Sequence, residues 1–271
     1  MVDLTITFPS IRLSNLPKVC NAIKMACSKH TFEIIIASPY NQPPGLEQYN
    51  IKWIKTYAAP TICWQMASIL SNSEFLVDGS DDALFQEGVL DEAIDAYKAS
   101  NLGQYDLISL HLKEGTLDPE SLELLPNADT SPLRPEFFMV AYNPPFYKAC
   151  IPREWKLSLN FLVKTKTFLD MGGFETKFQY INHSLHDYVF RIQSLGGQIY
   201  DFGRPALMVS HLPDESGDHG PVHRAQKGHD TDKFNEIYDN LTRVSDRAFL
   251  DINAWKNEPQ WWEERFGCNT Q

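Results

Sequence analysis

The 271-residue sequence has no apolar run of the length needed to cross a bilayer, which takes about 18–20 consecutive residues. Its start, Met1-Val2-Asp3, has neither the basic region nor the apolar core of a signal peptide. The five cysteines are scattered and include no close CxxC pair, which argues against a disulfide framework and a zinc site. These absences predict a reduced, cytoplasmic protein with no transmembrane segment.

Positive charge is also scarce. The chain has 24 Lys and Arg residues against 35 Asp and Glu residues, and a formal net charge of −11. Such a chain lacks the basic surface that nucleic-acid binding requires, so we expect no nucleic-acid partner. The same field repels phosphate-bearing substrates, and a metal ion or a local group of cations must screen it if such a substrate binds.

Two familiar nucleotide-binding motifs are missing as well. The first predicted strand-to-helix turn, residues 8–14, contains no GxGxxG, and no GxxxxGK[ST] occurs anywhere. The first absence argues against a dinucleotide site, and the second excludes a P-loop.

The first half of the chain alternates strand and helix patterns. Apolar strand patterns cover residues 4–8, 32–37, 51–54, 75–77 and 105–112, with amphipathic helical patterns between most of them. This alternation predicts an α/β fold with a mainly parallel sheet and helices on its faces. Ligands of such sheets bind beyond the carboxyl ends of the strands.

The strongest chemical signal lies in residues 75–85, where an apolar strand leads into Asp78, Asp81 and Asp82. Carboxylates crowded at a strand end repel one another, and a divalent cation is the simplest way to offset that repulsion. Asp oxygens are hard ligands suited to Mg²⁺ or Mn²⁺. In the competing interpretation, Asp81 or Asp82 only caps the next helix. The position at the end of a buried strand favours the metal site.

Further candidates lie in the second half of the chain. His211 ends an apolar strand pattern and would add a nitrogen ligand, which favours Mn²⁺ over Mg²⁺. Asp187, near the start of a helical pattern, is either a general base or a favourable charge at the helix N-terminus. Gly172 and Gly173 either admit a ligand closely or simply form a turn.

Residues 213–232 form a polar stretch that contains His219, His223 and Lys227. This stretch is either a flexible loop or a lid that closes over phosphates. Trp155 either stacks on a sugar or packs in the core.

Taken in order, these segments resemble the inverting family 2 glycosyltransferases, which have the GT-A fold, over residues 4–211. Residues 75–85 are similar to the family's aspartate motif, with Asp82 at the metal-binding position and Asp81 beside it. Residues 171–175 are similar to the GGF[DE] turn, and residues 186–187 stand where the family has its ED pair. His211 falls at the place of a late metal-binding histidine.

The resemblance implies a GT-A domain over residues 1–212, followed by a His-rich flexible lid and a helical extension over residues 213–271. It implies a metal-dependent, inverting glycosyltransferase of hexosyl type, acting in glycan biosynthesis. A nucleotide-diphosphate sugar, with a UDP-sugar favoured, would donate to a hydroxyl of a glycan or other acceptor. Asp82 and His211 would hold Mn²⁺ (or Mg²⁺), and Asp187 would be the catalytic base, with His186 as an outside candidate.

The residues expected to bind ligands follow from the same resemblance and from their places in the pattern. Those expected at the nucleotide-sugar are Pro9, Ser10, Arg12, Ser38, Asp81, Gly172, Gly173, His219, His223 and Lys227. Those expected at the acceptor are Trp155 and Phe174.

The chain departs from the family pattern at two informative places. Ser38 stands where many members have an aspartate that reads the base, and His186 replaces the Glu of the ED pair. Two alternatives therefore stay open. One is a sugar-nucleotide or nucleotidyl transferase of related fold, and the other is a non-catalytic glycan- or nucleotide-binding relative.

Overall fold

Parallel strands form the first half of the central sheet. The computed structural model describes residues 1–115, 140–141, 148–210 and 220–268. The first four strands are β1 Val2–Pro9, β2 Phe32–Ser38, β3 Ile51–Lys55 and β4 Ser73–Asp78. They lie side by side in the order β3-β2-β1-β4, all parallel. Residues 34–36 of β2 are completely buried, as expected for a strand covered on both faces.

The second half of the sheet is mixed. Its strands are β5 Ala83–Phe85, β6 Leu107–Gly115, β9 Phe161–Lys164 and β10 Ile199–Ser210, and a separate ribbon pairs β7 Val140–Ala141 with β8 Lys156–Leu157. The order continues β4-β9-β6-β10-β5, which makes eight strands in this sheet among the described residues. β9 runs antiparallel to both of its neighbours, and β10 is parallel to β6.

The helices connect and cover these strands. They are α1 Leu16–Ala26, α2 Pro60–Ile69, α3 Val89–Ala99, α4 Thr165–Asp170, α5 Ile181–Ser194, α6 Gly220–Arg224, α7 Thr231–Asp239 and α8 Glu263–Phe266. On α1, residues Leu16, Val19, Cys20 and Ile23 are buried, which is the i, i+3, i+4, i+7 stripe of a helix packed on a sheet. The predicted α/β class with a mainly parallel sheet flanked by helices is confirmed.

The described part of the C-terminal tail packs back on the sheet domain. The backbone N–H of Leu250 donates to the carbonyl of Met171 at 3.0 Å, and that of Trp262 donates to the carbonyl of Tyr57 at 2.8 Å. Residues 220–239 are helical almost throughout, whereas the sequence predicted a flexible stretch up to residue 232. The helical structure arises because Ala225, Phe234 and Tyr238 are buried against the domain.

A bilayer-spanning segment is not found in the part of the chain that the structure describes, since no helix there is both long and apolar enough.

Candidate functional site

The carboxyl ends of three parallel strands bring the acidic turn and the loop after β1 together. Asp78, the last residue of β4, lies opposite Thr7 of β1, and Gly79 donates its N–H to the Thr7 carbonyl at 2.9 Å. Ser10 donates its N–H to the Ala37 carbonyl of β2 at 2.8 Å. Residues 9–12, Ser38 and the turn at residues 79–82 therefore gather at one edge of the sheet, where the sequence predicted them.

Asp81 fixes the conformation of the loop after β1. Its Oδ2 accepts hydrogen bonds from the N–H groups of Ile11 and Arg12, both at 2.9 Å, and from Ser10 Oγ at 3.1 Å. Its backbone carbonyl accepts from Asn15 Nδ2 at 3.1 Å. Asp81 thus holds the two ends of this loop against the acidic turn.

Arg12 contacts both neighbouring carboxylates with one nitrogen. Its Nη1 lies 2.5 Å from Asp81 Oδ1 and 3.2 Å from Asp82 Oδ2, and the three side chains are 10%, 4% and 8% exposed. The other oxygen of Asp82 accepts from Ser80 Oγ. Burial raises the pKa of Asp81, and the nearby charge of Arg12 acts in the opposite direction. The guanidinium thus offsets the repulsion that the sequence assigned to a metal.

The described residues do not fit a preformed site for a divalent cation. No three His, Cys, Asp or Glu side chains among them lie close enough together to hold a metal. Both carboxylates of the acidic turn are already engaged by Arg12, and Asp82 also by Ser80. His211 and His219 lie outside the described residues, so Mn²⁺ binding by Asp82 and His211 remains a prediction.

Asp78 serves as a link between β4 and β9. Its two oxygens accept from the Phe161 N–H at 3.1 Å and from Asn160 Nδ2 at 2.8 Å. Burial raises the pKa of Asp78 to about 7, because the charged form loses its hydration. The sequence placed this carboxylate in the turn but gave no sign of its partner strand.

Gly172 and Gly173 form a tight turn that other parts of the chain approach closely. Their φ angles are +83° and +70°. A Cβ at Gly172 would lie 2.2 Å from the Leu250 carbonyl oxygen, and one at Gly173 would lie 2.2 Å from Gln65 Oε1. In this structure the close approach that requires glycine is made by the protein's own groups. A contact of these glycines with a nucleotide-sugar remains a prediction.

Asp187 is buried at the centre of a charged network. Its Oδ2 accepts from Arg191 Nε at 2.8 Å. Its Oδ1 accepts from Tyr238 Oη at 2.7 Å and pairs with Arg247. The side chain has no exposed surface, so in this conformation Asp187 anchors the tail instead of facing an acceptor. The predicted role as catalytic base gains no support from this placement.

His186, the outside candidate for the base, is buried beside His183, with ring centroids 6.4 Å apart. Burial and then the charge of His183 lower the pKa of His186 to about 3. A neutral imidazole with so low a pKa is a weak proton acceptor at neutral pH.

Both predicted acceptor contacts pack inside the protein. Phe174 is almost completely buried and meets Phe168 edge to face at 4.8 Å. In this structure its ring contacts the core, and a contact with an acceptor remains a prediction. Trp155 is half-buried and stacks on Phe190, with centroids 6.2 Å apart. The core-packing interpretation of Trp155 is the one that the structure favours.

The remaining residues expected at the nucleotide-sugar differ in their solvent exposure. Ser38 is fully buried, and its Oγ accepts from the Tyr40 N–H at 3.2 Å. Pro9 is half-buried. His223 and Lys227 are exposed on the segment whose Ala225 packs with Ala59 and Trp262. Among the candidates that the structure describes, those gathered by direct strand and loop contacts are Pro9, Ser10, Arg12, Ser38, Asp81 and Asp82.

A cleft of about 470 Å³ lies between the start of α2, the loop before α5 and the C-terminal tail. Its lining combines polar and aromatic side chains, among them Lys177, Gln179, His229, Glu258, Trp261 and Trp262. The cleft adjoins the carboxyl edge of the sheet. Thr56, just after β3, donates its N–H to the Ser38 carbonyl at 2.9 Å, and the next residue, Tyr57, accepts from Trp262.

Several residues that build this region carry no recognisable signal in the sequence. Gln65 Nε2 donates to the carbonyls of Gly172 and Ile252 at 3.0 and 3.2 Å, and its Oε1 accepts from the Phe174 N–H at 2.9 Å. Asp230 accepts from the N–H groups of Gln179 and Tyr180 at the start of α5. These partners are far apart in sequence, so no local pattern marks them.

Comparison with known structures supports the fold, but comparison by sequence does not assign the chain to a family. No family model matches the chain, and no curated protein matches it significantly. Among solved structures, the chain is similar to S. aureus TarS 1–349 in complex with UDP-GlcNAc, with a TM-score of 0.54 and 9% identity, over 94% of this chain and 72% of that one. It is also similar to TarS 1–349 alone, with a TM-score of 0.53, 10% identity and 77% of this chain covered.

The chain spans 60% of that TarS fragment and 37% of the longer TarS structure. A third similar structure is TarS 1–349 in complex with UDP, with a TM-score of 0.51, 10% identity and coverage of 79% of this chain and 62% of that one. At such low identity the likeness shows the fold, which is GT-A-like, as the sequence predicted.

Proposed function

We propose that this protein is a nucleotide-sugar-dependent glycosyltransferase whose donor binds at the carboxyl edge of β1, β2 and β4. The observation that carries the proposal is the gathering of Ser10, Arg12, Ser38, Asp81 and Asp82 at this edge. Ligands of open α/β sheets bind in this position. The similar TarS structures include complexes with UDP and with UDP-GlcNAc, which favours a UDP-sugar as the donor.

In this proposal the loop after β1 receives the nucleotide. Asp81 orders the loop by accepting two of its N–H groups, and Arg12 offsets part of the negative charge of Asp81 and Asp82 that would otherwise repel phosphates at this edge. Transfer with inversion, the hexosyl type of the sugar and a role in glycan biosynthesis rest on the family resemblance alone.

The acceptor side of the proposal is the cleft lined by Trp261 and Trp262. Its volume lies within the range of small-molecule sites, which is about 300–1,000 Å³. Lys177 and Glu258 give it charges of both signs, which suits a neutral, hydroxyl-rich ligand such as a saccharide better than an ion. Trp side chains add apolar contact area together with a polar N–H.

Within this cleft Glu258 is the carboxylate proposed to accept the proton of the acceptor hydroxyl. Burial and then the charge of Glu175 raise the pKa of Glu258, which brings it nearer the working pH of a general base. Glu258→Gln should keep UDP binding and lose most sugar transfer. Glu236→Gln, an exposed carboxylate on α7, is the control and should leave transfer unchanged.

The proposal is tested by ligand-induced stabilisation and by turnover. We expect UDP and UDP-GlcNAc to raise the melting temperature, because a ligand at 100 times its Kd adds about 2.7 kcal/mol to the stability of the folded state. GDP, CDP and dTDP complete the panel. Asp81→Asn should abolish the UDP effect, whereas Asp170→Asn, on the exposed end of α4, should retain it. Stabilisation by none of the four nucleotides would overturn the donor site.

One observation favours a second candidate, a non-catalytic nucleotide- or glycan-binding protein. The carboxylate that the family pattern offers as base, Asp187, is buried and fully engaged. This candidate predicts UDP binding with no release of UDP from UDP-sugars under any acceptor. Release of pyrophosphate from UTP and a sugar 1-phosphate, with no release of UDP from UDP-sugars, would instead identify a nucleotidyl transferase.

A further inference from the structure

The acidic turn is already paired with a cation from the loop after β1. A single nitrogen, Arg12 Nη1, lies within 2.5 Å of Asp81 and 3.2 Å of Asp82, and all three side chains are nearly buried. The backbone N–H of Arg12 also donates to Asp81. Arg12 is thus held in place through both its main chain and its side chain.

Arg12 already pairs with one oxygen of each carboxylate that a divalent ion would take as ligands. Mg²⁺ and Ca²⁺ take carboxylate oxygens at about 2.0–2.6 Å, closer than the separation of Asp82 Oδ2 from the guanidinium. A metal at that distance from Asp82 would also stand beside a buried positive charge. Like charges in a site of low dielectric repel strongly, which disfavours a divalent ion at the two carboxylates while the guanidinium is paired with them.

Displacing the guanidinium would disturb more than one ion pair. Asp81 Oδ2 accepts from the N–H groups of Ile11 and Arg12, and the Asp81 carbonyl accepts from Asn15. Asp81 therefore also orders the backbone that carries the Arg12 side chain. The loop after β1 and the acidic turn form one interlocked unit.

We propose that Arg12 is the resident counter-cation of the acidic turn, so that the turn folds, and admits a nucleotide diphosphate, without a divalent ion. The role of Arg12 in folding follows from its contacts alone, whereas its role in admitting a nucleotide rests on the proposed function. Arg12 is a positioning residue here, because it acts by holding Asp81 and Asp82.

The test compares the wild type with Arg12→Gln and with a matched control, Lys18→Gln, which removes the same charge from an exposed position on α1. Melting temperatures are measured in EDTA, in Mn²⁺, and in UDP with either. We expect Mn²⁺ to leave the wild type and Lys18→Gln unchanged. Arg12→Gln should melt lower in EDTA and regain stability in Mn²⁺, because its two carboxylates then lack a cation. UDP should stabilise the wild type equally in EDTA and in Mn²⁺.

A double variant, Arg12→Gln/Asp82→Asn, keeps the test decisive if Arg12→Gln alone does not fold. It removes one charge of each sign and should fold without responding to Mn²⁺. Stabilisation of the wild type by Mn²⁺ alone, or a UDP effect that appears only with Mn²⁺, would overturn the inference and leave the donor site standing. The absence of any UDP effect would overturn the donor site, while the Mn²⁺ arm still decides the role of Arg12.

Discussion

Arg247 of the C-terminal tail pairs with Asp187 of α5 in the interior of the protein. The second guanidinium nitrogen of Arg247 lies 2.6 Å from Glu175 Oε2, and Arg191 neutralises the other oxygen of Asp187. Two acidic and two basic side chains therefore balance in a region with almost no solvent exposure. The tail thus completes the charge balance of the helix that follows the Gly172-Gly173 turn.

Removing Arg247 should destabilise the protein strongly. Arg247→Met leaves Asp187 and Glu175 short of a partner inside the protein, and breaking a buried pair in this way costs about 3–5 kcal/mol. Urea unfolding measures the loss. Arg243→Met is the control, because Arg243 is 75% exposed and pairs only at the surface, where substitutions change stability by about 0.5 kcal/mol or less. Equal losses in both variants would contradict the network.

Alanine at Gly172 should cost more than alanine at Gly45, although both glycines have positive φ, +83° and +87°. The backbone strain of a left-handed residue, about 1–2 kcal/mol, is common to both variants. Gly172→Ala also drives a Cβ to 2.2 Å from the Leu250 carbonyl, whereas a Cβ at Gly45 meets nothing within 4 Å. We expect an extra loss of about 1–3 kcal/mol from overpacking, measured by urea unfolding. A difference near zero would show that the tail does not press on this turn.

Asp78 should make the protein less stable as the pH rises from about 4 to 7. Its pKa is near 3.9 in the unfolded chain and about 7 in the folded chain. In this window the folded state binds a proton that the unfolded state has lost, so stability falls with rising pH. The loss is complete above pH 7 and amounts to about 4 kcal/mol.

Asp78→Asn should remove this contribution, because the amide stays neutral and its oxygen still accepts from the Phe161 N–H. Urea unfolding at pH 5 and pH 8 gives the comparison, and the drop between the two pH values should be larger in the wild type. Asp170→Asn serves as the control. An identical drop in wild type and Asp78→Asn would contradict the raised pKa.

The contribution of His186 to stability should depend on pH in the opposite direction, falling as the pH falls. Its pKa is near 6.5 in the unfolded chain and about 3 in the folded chain. The unfolded state binds the extra proton between these values, so the stability due to the neutral, buried ring is lost as the pH falls below 6.5. His186→Gln should flatten the acid limb of the stability profile measured by urea unfolding from pH 7 to 4. His223→Gln, an exposed histidine, should leave that limb as it is.

The sequence contained enough to predict the sheet and its edge. Apolar strands in β2 and β4 alternate with helices such as α1 whose apolar stripe is visible in a single window. Because parallel strands share one carboxyl edge, the acidic turn and the loop after β1 had to come near each other. These features depend on local periodicity and on a general rule of α/β sheets.

The partners of the charged groups were decided only by the tertiary structure. The family resemblance predicts a metal at Asp82 and a catalytic role for Asp187, and the fold brings Arg12 beside the first carboxylate and Arg247 beside the second. A carboxylate's role depends on which opposite charge lies within a few ångströms and on how much water remains, and neither quantity has a local signature in the chain. Periodicity therefore determined where the edge of the sheet lies, and long-range packing determined which charges meet there.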